Sequence, residues 1–194
     1  MVLIAVSCAH APQAANILSD MRLQKAAALK NEADRARSLC AGLALDACLR
    51  TVGLRERDVT VAMDEHGKPY LADHPDWHFS ISHSGDFAVC ALDDVPIGVD
   101  LEQHRPLDTE RLAKRYLGIS EPLTREKFFS LWTKKESYLK AVGIGLSGLH
   151  TEPDDRWHFK EYPLRGYSLT VCSQKAVFTP SLLVLSDGDT VPLR

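Results

Sequence analysis

Two carboxylates close the run Ile97-Gly98-Val99-Asp100-Leu101-Glu102. On a strand successive side chains alternate faces, so Val99 and Leu101 point one way and Asp100 and Glu102 the other. Paired carboxylates repel unless a cation or a proton sits between them, and oxygen ligands of this kind suit Mg²⁺. An Asp-x-Glu on its own also fits an exposed acidic strand end. A second set follows in Trp132-Thr133-Lys134-Lys135-Glu136-Ser137-Tyr138-Leu139-Lys140. On a helix, Trp132, Glu136 and Lys140 share one stripe at i, i+4 and i+8. Trp132 can anchor such a helix in the core, Glu136 can add a third carboxylate, and Lys140 can meet a phosphate as a point charge. The same stripe fits an amphipathic helix with an ordinary Glu–Lys pair. Upstream, Phe79-Ser80-Ile81-Ser82-His83-Ser84-Gly85 reads as a strand entering a polar turn. Its hydroxyls, imidazole and Gly-flanked N–H groups can hold a phosphate. No Gly-x-Ser-x-Gly accompanies it, so a serine hydrolase is disfavoured, and a turn histidine with a structural hydrogen bond is the plain alternative.

The elements that must carry these residues follow from periodicity. Residues 17–50 read as helical, with apolar positions at Ala36, Leu39, Cys40, Leu43, Ala47 and Cys48 close to a 3.6 period, and Gly53 ends the pattern. A short strand is expected at 59–63, then a turn at His66-Gly67-Lys68-Pro69. Strand-like runs at Phe79–Ser82, Phe87–Leu92 and Ile97–Leu101 are divided by Ser84-Gly85-Asp86 and Asp93-Asp94. Helices are expected at 109–117 and 124–142, the second stopped by Gly143 and Gly145. Runs at 157–160, 167–172 and 181–186 look like strands of a terminal sheet. The order predicts an α+β fold, in two similar halves packed as a pseudo-dimer within one chain. The boundary falls at Val95-Pro96, giving residues 1–95 and 96–194.

Composition restricts the function classes. Hydrophobic residues at 45% and charged residues at 25% of 194 are ordinary for a soluble globular chain, and a net charge of −3 does not suggest nucleic-acid binding. The charge is uneven: residues 51–109 hold four basic and twelve acidic side chains, residues 110–140 eight basic and four acidic. An acidic middle beside a basic segment suits a metal site next to an anion or an acidic partner, and equally suits two solvated faces. Five cysteines without a CxxC pair argue against a disulfide framework or a structural zinc site and fit reduced thiols in a cytoplasmic protein. The apolar start Val2–Val6 lacks a basic region ahead of it and reads as a first strand. No run approaches the ~20 apolar residues of a membrane span.

Taken singly, each motif has an ordinary explanation; their order is more specific. Gly67-Lys68-Pro69, Ser82-His83-Ser84, Gly98-Val99-Asp100-Leu101-Glu102 and Trp132-x-x-Lys135-Glu136-x-x-x-Lys140 stand in sequence, followed by Gly143-Ile144-Gly145-Leu146-Ser147. This set, over roughly residues 20–148, resembles the 4′-phosphopantetheinyl transferase family, in its monomeric form that serves surfactin-like peptide synthetases. The resemblance implies transfer of the phosphopantetheine arm of coenzyme A to a serine of an apo carrier protein, with release of 3′,5′-adenosine bisphosphate. It assigns Asp100, Glu102 and Glu136 to Mg²⁺. It gives Lys68, with Pro69 beside it, Ser82 and His83 to the nucleotide end and phosphates of coenzyme A. It places Arg37 at the 3′-phosphate and Lys140 near the pyrophosphate. Arg22 and Lys25 match basic residues loosely, and Glu121 resembles a further glutamate of the second half. Glu136, directly or through a metal-bound water, is the expected base. The segment 110–140, through Arg111, Lys114, Arg115, Arg125 and Lys127, is the expected face for an acidic carrier. Beyond residue 150 the match is poor. The competing reading is a coenzyme A- or carrier-binding module without catalysis; the presence of all three acids and Lys140 argues against it, and failure to modify a carrier would reveal it.

Overall fold

The computed structural model describes residues 1–176 and 183–185. Nine strands run in chain order among the described residues: β1 Val2–Ser7, β2 Val61–Met63, β3 Pro69–Leu71, β4 His78–Ser84, β5 Phe87–Asp93, β6 Ile97–Gln103, β7 His158–Glu161, β8 Tyr167–Ser173 and β9 Leu183–Leu185. The α-helices are α1 Asp20–Ala27, α2 Glu32–Arg50, α3 Thr109–Leu112 and α4 Arg125–Val142. The fold is α+β. One sheet has the order β4-β5-β1-β9, a second β6-β8-β7, and β2-β3 form a separate pair.

The expected helix over 17–50 is two helices. Asn31 breaks it: its Oδ1 accepts the Asp34 N–H at 3.1 Å and caps α2, while Ser19 Oγ accepts the Arg22 N–H at 3.3 Å and caps α1. Short polar side chains that take backbone protons in this way start helices rather than continue them. Residues Cys40–Leu49 of α2 are all buried, because the helix packs on the first sheet and is covered on its other side by the 3-10 segment Cys8–Asn16 and Leu18. The expected helix at 109–117 exists as α3 followed by a π-helical turn, Ala113–Leu117, that Gly118 ends at φ 70°. Thr124 caps α4, and Gly143 terminates it at φ 83°.

The expected terminal sheet is corrected in one respect. β7 and β8 pair with β6, but β9 runs parallel to β1, with Ile4 opposite Leu183 and Val6 opposite Leu185, and so lies in the first sheet. Leu185 there reaches the apolar cluster beneath α2, which gives the strand a reason to cross back. Residues 181, 182 and 186 of the expected strand lie outside the described residues.

Strand alternation sorts the core into layers. Ile4, Val6, Ala88, Cys90 and Leu92 face α2. Leu3, Ala5, Val89 and Ala91 face the other way and meet Ile97, Val99, Leu101, Leu169 and Val171 of the second sheet. On the far side of β6 and β8, α4 closes the stack, packing Tyr138, Leu139 and Ala141 against Cys172 of β8. The layers are therefore helix, sheet, sheet, helix, and β4 and β6 come together at their shared margin.

Candidate active site

β6 and α4 place the reactive side chains, and one glycine sets their separation. A Cβ on Gly98 would stand 1.9 Å from the Ser137 carbonyl oxygen and 2.4 Å from the Ala141 nitrogen. Only a residue without a side chain lets the helix lie this close to the strand. Two residues on, Asp100 faces α4, and Lys140 Nζ contacts its Oδ1 at 2.7 Å. As alternation requires, Val99 and Leu101 enter the core between the sheets while Asp100 and Glu102 face away from it.

β4 meets β6 through side chains. The hydroxyls of Ser80, Ser82 and Ser84 accept the N–H groups of Val99, Leu101 and Gln103 at 3.0, 3.2 and 3.1 Å. Ser82 then donates to Asp100 Oδ1 at 2.8 Å, and Ser84 to Glu102 Oε2 at 2.9 Å. Lys140 Nζ also reaches Ser82 Oγ at 3.0 Å. The serines thus both join the strands and orient the two acids. This row lay unrecognised in the sequence, where its signal was three serines at alternate positions of an otherwise apolar run.

A cleft of about 860 Å³ opens over this row. Asp100, Glu102, Glu136, Lys140, Ser82, His83 and Pro69 all border it, and Trp132 joins Glu136 and Lys140 on the α4 side, so the expected helical stripe does face one space. Trp132 is half-buried, its ring stacked 6.3 Å from that of Phe128, and serves core and cleft together. Arg22, Lys25 and Ser38 border the same cleft from α1 and α2. Lys68 borders an adjoining cavity of about 240 Å³ that shares Pro69, Glu136 and Lys140. Its ammonium donates to the Ala141 carbonyl at 2.6 Å, at the end of α4, and burial pulls its pKa down. Arg37 does not border the cleft: it pairs with Asp34 at 2.5 Å and reaches the Gly85 carbonyl at 3.4 Å. Glu121 is exposed and also lies off the cleft. Glu56, which sequence reasoning passed over as one charge in Arg55-Glu56-Arg57-Asp58, is buried in the cleft wall at 3% exposure.

Charge in the cleft is tuned mainly by burial. Burial raises the Glu136 carboxyl, and the neighbouring Asp100 charge raises it further against the opposing Lys140. Burial and then Asp100 raise Glu102, which the Ser84 hydrogen bond partly offsets. His83 is held below the usual histidine range by burial, with Lys140 and Arg37 adding to the effect. Among the described residues no three His, Cys, Asp or Glu side chains close around a common point. The acids instead share one cleft, and Lys140, Ser82 and Ser84 occupy their oxygens. Among the described residues Asp100 Oδ2, buried at a residue exposure of 4%, finds no hydrogen-bond partner. An unpartnered carboxylate oxygen among further carboxylates fits Mg²⁺, a hard cation that takes a few carboxylate oxygens and completes its shell with water and substrate phosphate.

A cleft lined by a group of carboxylates together with Lys140, Arg22, Lys25 and His83 suits a polyanionic substrate and a cation. Residues 7–94 match the sequence profile of the 4′-phosphopantetheinyl transferase N-terminal region, and residues 96–191 that of the 4′-phosphopantetheinyl transferase superfamily. The chain belongs to this superfamily, and within it to the type of the Bacillus surfactin-associated transferases. It is 34% identical over 164 residues to the 4′-phosphopantetheinyl transferase Sfp of Bacillus subtilis, covering 71% of this chain and 73% of the relative. It is 31% identical to the transferase ffp of Bacillus subtilis over 69% of this chain and 71% of the relative. A match to the HetI transferase of Nostoc, 36% identical, covers 50% of this chain and 47% of the relative.

Proposed function

We propose that this chain transfers the 4′-phosphopantetheine group of coenzyme A to a serine of an apo carrier protein and releases 3′,5′-adenosine bisphosphate. The observation that carries this reading is the one cleft bordered both by Asp100, Glu102 and Glu136 and by Lys140, Arg22, Lys25 and His83. Family membership supplies the reaction class. In this reading the basic side chains receive the nucleotide phosphates, with Lys68 and Pro69 beside the pyrophosphate. Arg37 turns from Asp34 to the 3′-phosphate when that group arrives.

Asp100, Glu102 and Glu136 would hold Mg²⁺, which when bound offsets the pyrophosphate charge and aligns the reactants. Glu136 accepts the proton of the attacking serine, directly or through a metal-bound water. Lys140, which neutralises Asp100 in the free protein, stabilises the charge that develops on the phosphoryl oxygens. Ser82 and Ser84 hold the two acids in place throughout. The two-sheet, two-helix layering supports an organisation in two related halves, residues 1–95 and 96–194, acting as a monomer, and five free thiols fit a cytoplasmic setting.

The test is to incubate the protein with coenzyme A, Mg²⁺ and a panel of apo carrier proteins and to weigh the intact carriers. A carrier heavier by one phosphopantetheine is expected, and chelation of Mg²⁺ abolishes the gain. Binding of coenzyme A with no carrier modified across the panel would leave a binding module instead.

A further inference from the structure

We infer that Glu56 is a positioning residue that holds the Arg22 guanidinium toward the anionic end of the substrate. The inference rests on the coenzyme A reading of the cleft. Glu56 is buried, yet it borders the cleft together with Arg22 and Ser19. Its Oε2 accepts the Ser19 N–H at 2.8 Å, and its Oε1 accepts the Ser19 hydroxyl at 3.2 Å and Arg22 Nε at 3.1 Å. A guanidinium held at Nε has its two terminal nitrogens left to meet a phosphate in a fork.

The carboxylate is itself fixed from behind. The Glu56 N–H donates to Oδ1 of Asp46 at 3.0 Å. Asp46 is wholly buried in α2 and held by Arg50 Nε at 2.6 Å and Arg55 Nε at 3.2 Å. A chain of hydrogen bonds thus runs from the last turns of α2 through Glu56 to the first turn of α1. It ends on Arg22 at the cleft. An arginine side chain loses much rotamer freedom when it binds, so ordering it in the free protein lowers that cost on binding.

Glu56 also supports the start of α1 through Ser19, so a purely structural role must be told apart. The experiment is a double-mutant cycle of Glu56→Gln and Arg22→Ala, read by calorimetric titration of the full chain with coenzyme A in Mg²⁺ and by thermal melting. Glu56→Gln is expected to raise the Kd for coenzyme A roughly tenfold and to raise KM for coenzyme A rather than lower kcat. In the Arg22→Ala background it should change the Kd by less than about twofold, and it should lower the melting temperature by less than it does alone, because the two side chains are in contact. Should the Gln variant melt too low to titrate, Glu56→Asp, which keeps the charge and shortens the reach, carries the same cycle. An equal loss of affinity in both backgrounds, or none in either, overturns the inference while the wild type still binds. A wild-type protein that takes up no coenzyme A overturns the cleft reading and this inference with it.

Discussion

Glu136 has conflicting demands from stability and chemistry. Its pKa is raised by burial first and by Asp100 second. The folded protein therefore binds more protons than the unfolded chain between the ordinary and the raised value. Stability falls as pH rises through that window, and the penalty is absent below the unfolded pKa and complete above the folded one. Glu136→Gln removes the penalty. At neutral pH the variant is expected to melt above the wild type, with the gap closing as pH falls toward the usual carboxylate range. Transfer should drop at least about 10²-fold, the scale of a lost general base. A Gln variant that melts lower at neutral pH would show that Glu136 earns its place in the fold as well. Spacing put Asp100 with Glu102 on one strand face and Glu136 with Lys140 on one helix stripe, but it was the order of the motifs and the family resemblance that joined them to Ser82 and His83. Arg37 was expected at the 3′-phosphate; here it pairs with Asp34 one helical turn away, and its contact with the Gly85 carbonyl depends on where a hairpin turn falls in space. Glu56 gave no signal, since a buried acid in a charged turn has the same letters as a solvated one.

At the scale of elements, the joint between β6 and α4 and the joint between β4 and β6 are distinct in kind. The first is steric. Gly98→Ala would drive a methyl into the backbone of α4 at Ser137 and Ala141, neither of which can swing away as a side chain would. We expect a loss of about 1–3 kcal/mol or more in urea unfolding and a deeper loss of transfer, because Asp100 on the strand and Glu136 and Lys140 on the helix move apart together. Stability and transfer both within error of the wild type would show that the approach is slack. The second joint is polar. Ser80→Ala strands the buried Val99 N–H, at a cost of about 1–3 kcal/mol, and hydrogen exchange at that amide should quicken ahead of its neighbours. An unchanged exchange rate there would mean that the hydroxyl is not its partner. Most strands and α4 were readable from alternation and from flanking Gly, Thr and Asp residues. The break at residues 28–31 and the crossing of β9 to β1 were not. The first depends on one capping asparagine within a helical composition, and the second on long-range pairing that no local pattern records.

Across the whole molecule, the basic side chains expected to meet a carrier divide between two faces. Lys114 and Arg115 border a groove of about 500 Å³ with Lys134, Lys135, Tyr116 and Ile119. Lys127 lies instead on a shallow depression with Arg165 and Glu161. The groove is the better match to an acidic partner, since it joins exposed cations to apolar side chains, and rim charges steer association more than they hold it. Lys114→Glu with Arg115→Glu is expected to raise KM for the carrier while leaving that for coenzyme A nearly unchanged. The effect should fade between 0.1 M and 1 M salt, as the Debye length shrinks from ~10 Å to ~3 Å. Carrier kinetics that are the same in the double variant, with no salt dependence, would assign these residues to solvation alone.

Among the described residues β6 is an edge strand, paired with β8 on one side only. Its other margin presents the N–H groups of Val99, Leu101 and Gln103, a row that another extended chain could copy in a register of its own. The hydroxyls of Ser80, Ser82 and Ser84 fill those positions first. The serine row therefore also guards against self-association: a molecule that loses it exposes a template for intermolecular β-pairing beside its most acidic strand, and aggregation would begin where the chemistry is done.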